Sequence, residues 1–164
     1  MTEQKFNHII LPLAKNIYSY ALHLLKNEED AADITQDIMV KSWEQRNKFE
    51  KISNPKAWLL KMTRNLCIDR LNKKSPIFDT QQVAENNPHT PNLQQEIESR
   101  DMVERVEKIL KTLPLQQQEV FILREMEQLA FDEIFQITNL TPNHIRVLLS
   151  RARKTIREKL YIHS

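Results

Sequence analysis

A chain of 164 residues without one glycine excludes glycine-rich phosphate loops and dinucleotide fingerprints in their usual form, because both need backbone at positive φ close to a ligand. Its 24 Lys and Arg against 22 Asp and Glu leave a net charge of +2, too small to point to any partner. The single cysteine, Cys67, excludes an internal disulfide; no apolar run nears the roughly 20 residues that span a bilayer, and Met1-Thr2-Glu3-Gln4 lacks an export pattern, so a soluble cytoplasmic protein is expected.

Leu, Ile, Glu, Lys and Gln favour helices throughout, and the lack of glycine argues against tight β turns. A first helix is predicted from about Thr2 to Lys26, broken near Pro12, with Phe6, Ile9, Ile10, Leu13, Ile17, Tyr20, Ala21, Leu24 and Leu25 at helical spacing. A second starts after Asn27, where Glu28, Glu29 and Asp30 suit the positive end of the helix dipole, and reaches about Trp43. On it Ala31, Ile34 and Ile38 pack inward. Asp30, Asp33, Asp37 and Glu44 form a neighbouring acidic stripe, which repels itself unless a basic partner covers it.

Ser53-Asn54-Pro55 is a helix start, since Asn caps well and proline suits the first helical position; this helix is expected to run to about Lys73. Trp58, Leu59, Met62 and Leu66 make one apolar stripe and Leu60, Cys67 and Leu71 a second, so both sides are packed, with Trp58 and Cys67 in the core. Lys61, Arg64, Asn65 and Asn72 look outward, and Arg70, Lys73 and Lys74 extend a basic surface. Next to the aromatic segment from Trp43 to Phe49, that surface suits single-stranded nucleic acid. Charge alternates accordingly: residues 27–50 carry seven acids and three bases, residues 54–74 one acid and six bases. Separate surfaces for separate partners follow.

Residues 75–92, SPIFDTQQVAENNPHTPN, hold three prolines and no Lys or Arg, and too little periodic apolar surface to offset the entropy of ordering them. They read as a flexible linker between modules 1–74 and 93–164. In the second module a helix is predicted from Leu93 to Lys111 with Ile97, Val103, Val106 and Leu110 apolar. Another starts at Pro114 and turns Val120, Phe121 and Leu123 to the core. A short helix from Phe131 to Thr138, a turn at Asn139-Leu140 and a helix opened by Thr141-Pro142 then make a helix-turn-helix. Ile145, Leu148, Leu149, Ala152 and Ile156 lie on one face of the last helix, and Asn143, Arg146, Ser150, Arg153 and Arg157 on the other. Residues 141–164 hold six bases against one acid, Glu158, which favours DNA over a merely solvated face. Where a left-handed residue is needed, Asn27, Asn72 and Asn139 are the candidates.

Three strings, DAADITQDIMVKSW at 30–43, NPKAWLLKMTRNLCIDRL at 54–71 and LPLQQQEVFILREMEQLAFDEIFQITNLTPNHIRVLLSRARKTIREKL at 113–160, resemble bacterial sigma factors of the extracytoplasmic-function group, in order and spacing, over nearly the whole chain. The resemblance implies an all-α protein of two helical domains, a region 2 domain at 1–74 and a region 4 domain at 93–164, joined by a flexible linker. It implies that Asp30, Asp33, Gln36 and Asp37 dock on the coiled coil of the largest subunit of core RNA polymerase. Trp58, Lys61, Arg64, Asn65 and Arg70 would melt and hold the minus-ten element of promoter DNA. Asn143, His144, Arg146, Val147, Ser150 and Arg151 would read the minus-thirty-five element. It also implies an anti-sigma factor as partner.

Phe135 stands where the family has a small residue, Asn139 where it has a turn glycine, and Leu148 where it often has arginine; looser packing of the two helices and a lost phosphate contact are expected. The expected mechanism is binding without catalysis. Arg146 or Arg151 would pair with guanine, Asn143 with adenine and Val147 with a thymine methyl, while the first module captures extruded bases. The five histidines are scattered, so no metal or cofactor site, small-molecule substrate or enzyme activity is expected, nor direct membrane insertion. A stand-alone helix-turn-helix regulator and a protein-binding helical adaptor are the alternatives.

Overall fold

The computed structural model describes residues 1–74 and 102–162, and every regular element among them is helical. They fall into two compact units, the first holding residues 1–74 together with Gln136–Asn139 and the second the remaining described residues. The linker read at 75–92, Ile97 and the start of the helix expected from Leu93 lie outside the described residues.

In the first unit, Pro12 breaks the long N-terminal helix as its missing N–H demands: α1 (Glu3–Ile9) gives way to a 3₁₀ turn at Leu11–Leu13, and α2 (Ala14–Leu25) resumes. Thr2 caps α1, its hydroxyl accepting from the Lys5 amide at 3.1 Å. The amino nitrogen of Met1 lies 3.0 Å from Glu50 Oε1; that hydrogen-bonded ammonium, with its charge, holds the Glu50 carboxyl below the usual carboxylate range. α3 (Glu28–Glu44) starts at Asn27, whose Oδ1 accepts from the Asp30 amide at 2.9 Å. A 3₁₀ turn at Arg46–Lys51 leads to α4 (Pro55–Lys74), where Asn54 Oδ1 accepts from the Ala57 amide at 3.3 Å. α2 packs on both α3 and α4, and these two on each other. Ile17, Tyr20, Ala21, Leu24, Ala31, Ile38, Leu59, Leu60 and Cys67 are fully buried between them.

The second unit holds α5 (Met102–Leu110), α6 (Leu115–Phe121) with a π turn at Ile122–Met126, the first residues of α7 (Phe131–Thr138) and α8 (Pro142–Ile162). α8 packs on α5 and α6. On α5 the buried residues are Ile109 and Leu110, whereas Val103, expected among the apolar points, is 67% exposed. Gln118 is buried on α6, and its side-chain amide donates to the Leu113 carbonyl at 2.7 Å, so it closes the turn between α5 and α6.

The left-handed positions differ from those expected. Asn139 (φ 63°) does occupy one, but the others among the described residues are Lys26 (φ 55°) and Gln128 (φ 59°). Asn27 has extended backbone because it caps α3, so the turn falls one residue earlier, and Asn72 lies inside α4.

Candidate protein and nucleic-acid interfaces

On α3 the burial of Ala31, Ile34 and Ile38 fixes which way the helix faces. Asp33, Gln36, Asp37 and Glu44 are exposed, whereas Asp30 is half-buried, its side chain 18% exposed. The repulsion at the start of this stripe is relieved from within the chain. Arg70, near the end of α4, brings its guanidinium to 3.2 Å from Asp30 Oδ1, 3.5 Å from the Asp30 carbonyl oxygen and 3.7 Å from Asp33 Oδ2. Arg70 therefore belongs with the acids of α3, and not with the open basic surface on which the sequence reading placed it.

α4 buries Leu59, Leu60, Thr63 and Cys67 along one broad arc, with the Thr63 hydroxyl donating to the Leu59 carbonyl at 2.7 Å. Trp58, expected in the core, is 42% exposed, because the packed arc runs through its neighbours Leu59 and Leu60 and leaves Trp58 at its edge beside half-buried Met62 and Leu66. Asn65 is exposed, and Lys61 and Arg64 are half-buried. The aromatic segment is less open than expected. Phe49 is buried, Phe6 meets the Trp43 ring edge-on at 5.1 Å, and the Arg46 guanidinium lies 4.0 Å from the centre of that ring. Of the large rings in this unit, Trp58 is thus the better stacking candidate.

The two helices of the helix-turn-helix start where the sequence predicts, at Phe131 and Pro142. Ala130 donates its amide to Glu133 Oε1 at 2.9 Å at the start of α7, and Thr141 Oγ1 accepts from the His144 amide at 3.2 Å at the start of α8. Ile145, Leu148, Leu149, Ala152 and Ile156 are buried, and Asn143, His144, Arg146, Val147, Ser150 and Arg151 are exposed. Leu148 is a core residue, so no phosphate contact is lost from the outer face at that position. Phe135 is 38% exposed, at the edge of what α7 buries.

Several of these cations are already engaged. Arg146 donates to Asn143 Oδ1 at 2.9 Å, and its guanidinium lies 5.8 Å from the Phe131 ring centre. Arg124 lies 4.8 Å from the same ring and donates to the Leu129 carbonyl at 2.9 Å. Arg153 forms an ion pair with Glu125. Nothing in sequence spacing signals this last pair, because Glu125 and Arg153 lie 28 residues apart. Phe131 and Arg124 are the additions that folding makes to the surface. Among the described residues, no group of three or more His, Cys, Asp or Glu is arranged to hold a metal ion, and no helix is long and apolar enough to cross a membrane.

Comparison with known proteins places both units. Residues 9–77 match the sigma-70 region 2 family and residues 103–156 match sigma-70 region 4, together more than half of the chain. The chain is 23% identical over 168 residues to the ECF RNA polymerase sigma factor SigW of Bacillus subtilis, covering 96% of this chain and 90% of that protein. It is 28% identical over 151 residues to the sigma factor SigV of the same organism, covering 89% and 85%. A solved structure, the sigma factor RpoE in complex with the anti-sigma factor NepR from Bartonella quintana, shares the fold with a TM-score of 0.72 at 22% identity, over 98% of this chain and 99% of that one. With both regions present in order, the chain belongs to the sigma-70 family of RNA polymerase sigma factors, in its extracytoplasmic-function group.

Proposed function

We propose that this sigma factor docks on core RNA polymerase through the outer face of α3, using Asp30, Asp33, Gln36 and Asp37, and directs initiation by reading two promoter elements. Lys61, Arg64 and Asn65 of α4, with Trp58 at the edge of the packed arc, hold the minus-ten element. Asn143, His144, Arg146, Val147, Ser150 and Arg151 of α8 enter the major groove at the minus-thirty-five element. The observation that carries the reading is the exposure of all six of these α8 residues on the face opposite a continuous buried stripe. A region 2 match across residues 9–77 weighs against a stand-alone DNA-binding regulator.

The division into 1–74, a linker at 75–92 and 93–164 is part of the same proposal. The chain acts by binding, in the cytoplasm with its template, and polymerase performs the chemistry. An anti-sigma factor is the expected negative regulator, supported by a structural relative bound to one. The test is run-off transcription with purified core enzyme. Asp37→Ala is expected to weaken polymerase docking, and Arg146→Ala to weaken upstream-element recognition at unchanged docking. Indifference to both substitutions would overturn these roles.

A further inference from the structure

We infer that Arg70 is a positioning residue for the polymerase-facing acids of α3, and is not a contact to the template; this rests on α3 being the docking face. Three observations carry it. The guanidinium meets both a carboxylate and a main-chain carbonyl of Asp30, at 3.2 and 3.5 Å, which ties the first turn of α3 to the end of α4. It also lies 3.7 Å from Asp33, whose side chain is 64% exposed and remains open to a partner. Asp37, one turn further along, forms no ion pair among the described residues, with Lys41 the nearest cation along its own helix. Arg70 thus neutralises the near end of the acidic stripe and leaves the far end charged.

All three contacts are made through one nitrogen, Nη1, so an ammonium can take over part of this role but lacks the delocalised charge of the guanidinium. Without it, Asp30 and Asp33, three residues apart on one helix face, repel each other, and the first turn of α3 loses its tether. The geometry of the docking acids is then set less sharply, although none of them has been altered. The pairing also removes Arg70 from the cations that α4 can offer to DNA. A strand phosphate would have to compete with two neighbouring carboxylates for it.

The test is a mutant cycle on the full chain. Affinity for core polymerase is measured by anisotropy of labelled protein for Arg70→Ala, Arg70→Lys, Asp30→Asn/Asp33→Asn, and the combination of the last with Arg70→Ala. Arg70→Ala is expected to weaken docking by about fivefold, the upper range for a partly exposed pair, with Arg70→Lys recovering part of the loss. In the Asp30→Asn/Asp33→Asn background the same change is expected to have no further effect. On a template with a pre-opened minus-ten segment and saturating sigma factor, Arg70→Ala is expected to match the parent while Arg64→Ala does not. An Arg70→Ala effect that persists without the acids, or a deficit at saturation, overturns the proposal. Circular dichroism separates a misfolded variant from a mispositioned one. If Asp33→Ala leaves core affinity untouched, the docking face itself is wrong; if it weakens docking and Arg70→Ala does not, only the role of Arg70 fails.

Discussion

α4 and α8 start from the same material. Each opens on a capping side chain followed by proline, Asn54-Pro55 and Thr141-Pro142, and each carries six Lys and Arg. Their cations end in different places. α8 buries a single narrow stripe, so Arg146, Arg151, Lys154 and Arg157 stand exposed along one side. α4 lies under α2 and against α3, and its broad packed arc leaves Lys61, Arg64 and Arg70 half-buried, with Arg70 joined to the acids of its neighbour. Equal charge in sequence therefore gives an open electrostatic surface only where one face alone is packed.

Substitutions in the packed arc have the largest effect. Leu60→Ala is expected to cost about 2 to 5 kcal/mol in urea unfolding, against less than about 0.5 kcal/mol for Ser150→Ala on the open side of α8. Comparable costs would dissolve the contrast between the helices. Next, Arg146→Ala is expected to remove about 1 to 3 kcal/mol of discrimination at one position of the upstream element, measured by competition between promoter variants bound by the holoenzyme.

A smaller effect separates two arginines on α8 itself. Arg151→Ala is expected to reduce the slope of log affinity against log salt by about 1, while Arg153→Ala, already neutralised by Glu125, reduces it less. Equal slopes would mean that the Glu125 pair opens on DNA. Last is Phe135→Ala, expected to cost about 1 kcal/mol, well below a fully buried ring, because the residue stays 38% exposed. A loss above about 2 kcal/mol would restore it to the packing between helices.

The same contrast explains what could be read before folding. α7 and the start of α8 follow from local rules: a cap, a proline, a 3.6-residue stripe and an asparagine able to take positive φ. Their bounds need no knowledge of distant residues. α4 resisted because its two apolar stripes merge into one arc whose edge falls at Trp58, and only the positions of α2 and α3 decide which side of Trp58 is covered. Arg70 with Asp30, and Arg153 with Glu125, are meetings across helices that periodicity cannot signal. The π turn at Ile122–Met126 is local, closed by the Glu127 amide donating to the Ile122 carbonyl at 2.9 Å, but a 3.6-residue period does not signal it either.

The left-handed joints at Lys26, Gln128 and Asn139 have a consequence for heat tolerance. Each side chain with a Cβ held at positive φ carries a local cost of about 1 kcal/mol or more, least for asparagine, whose side chain can bond to its own backbone. Yet a backbone with no glycine also has fewer conformations to lose as it orders, by roughly 0.5 to 1 kcal/mol at each place where glycine would otherwise stand. The two contributions oppose each other at every joint. Gln128→Gly, relaxing the native bend while loosening the denatured ensemble, should leave the melting temperature nearly where it was.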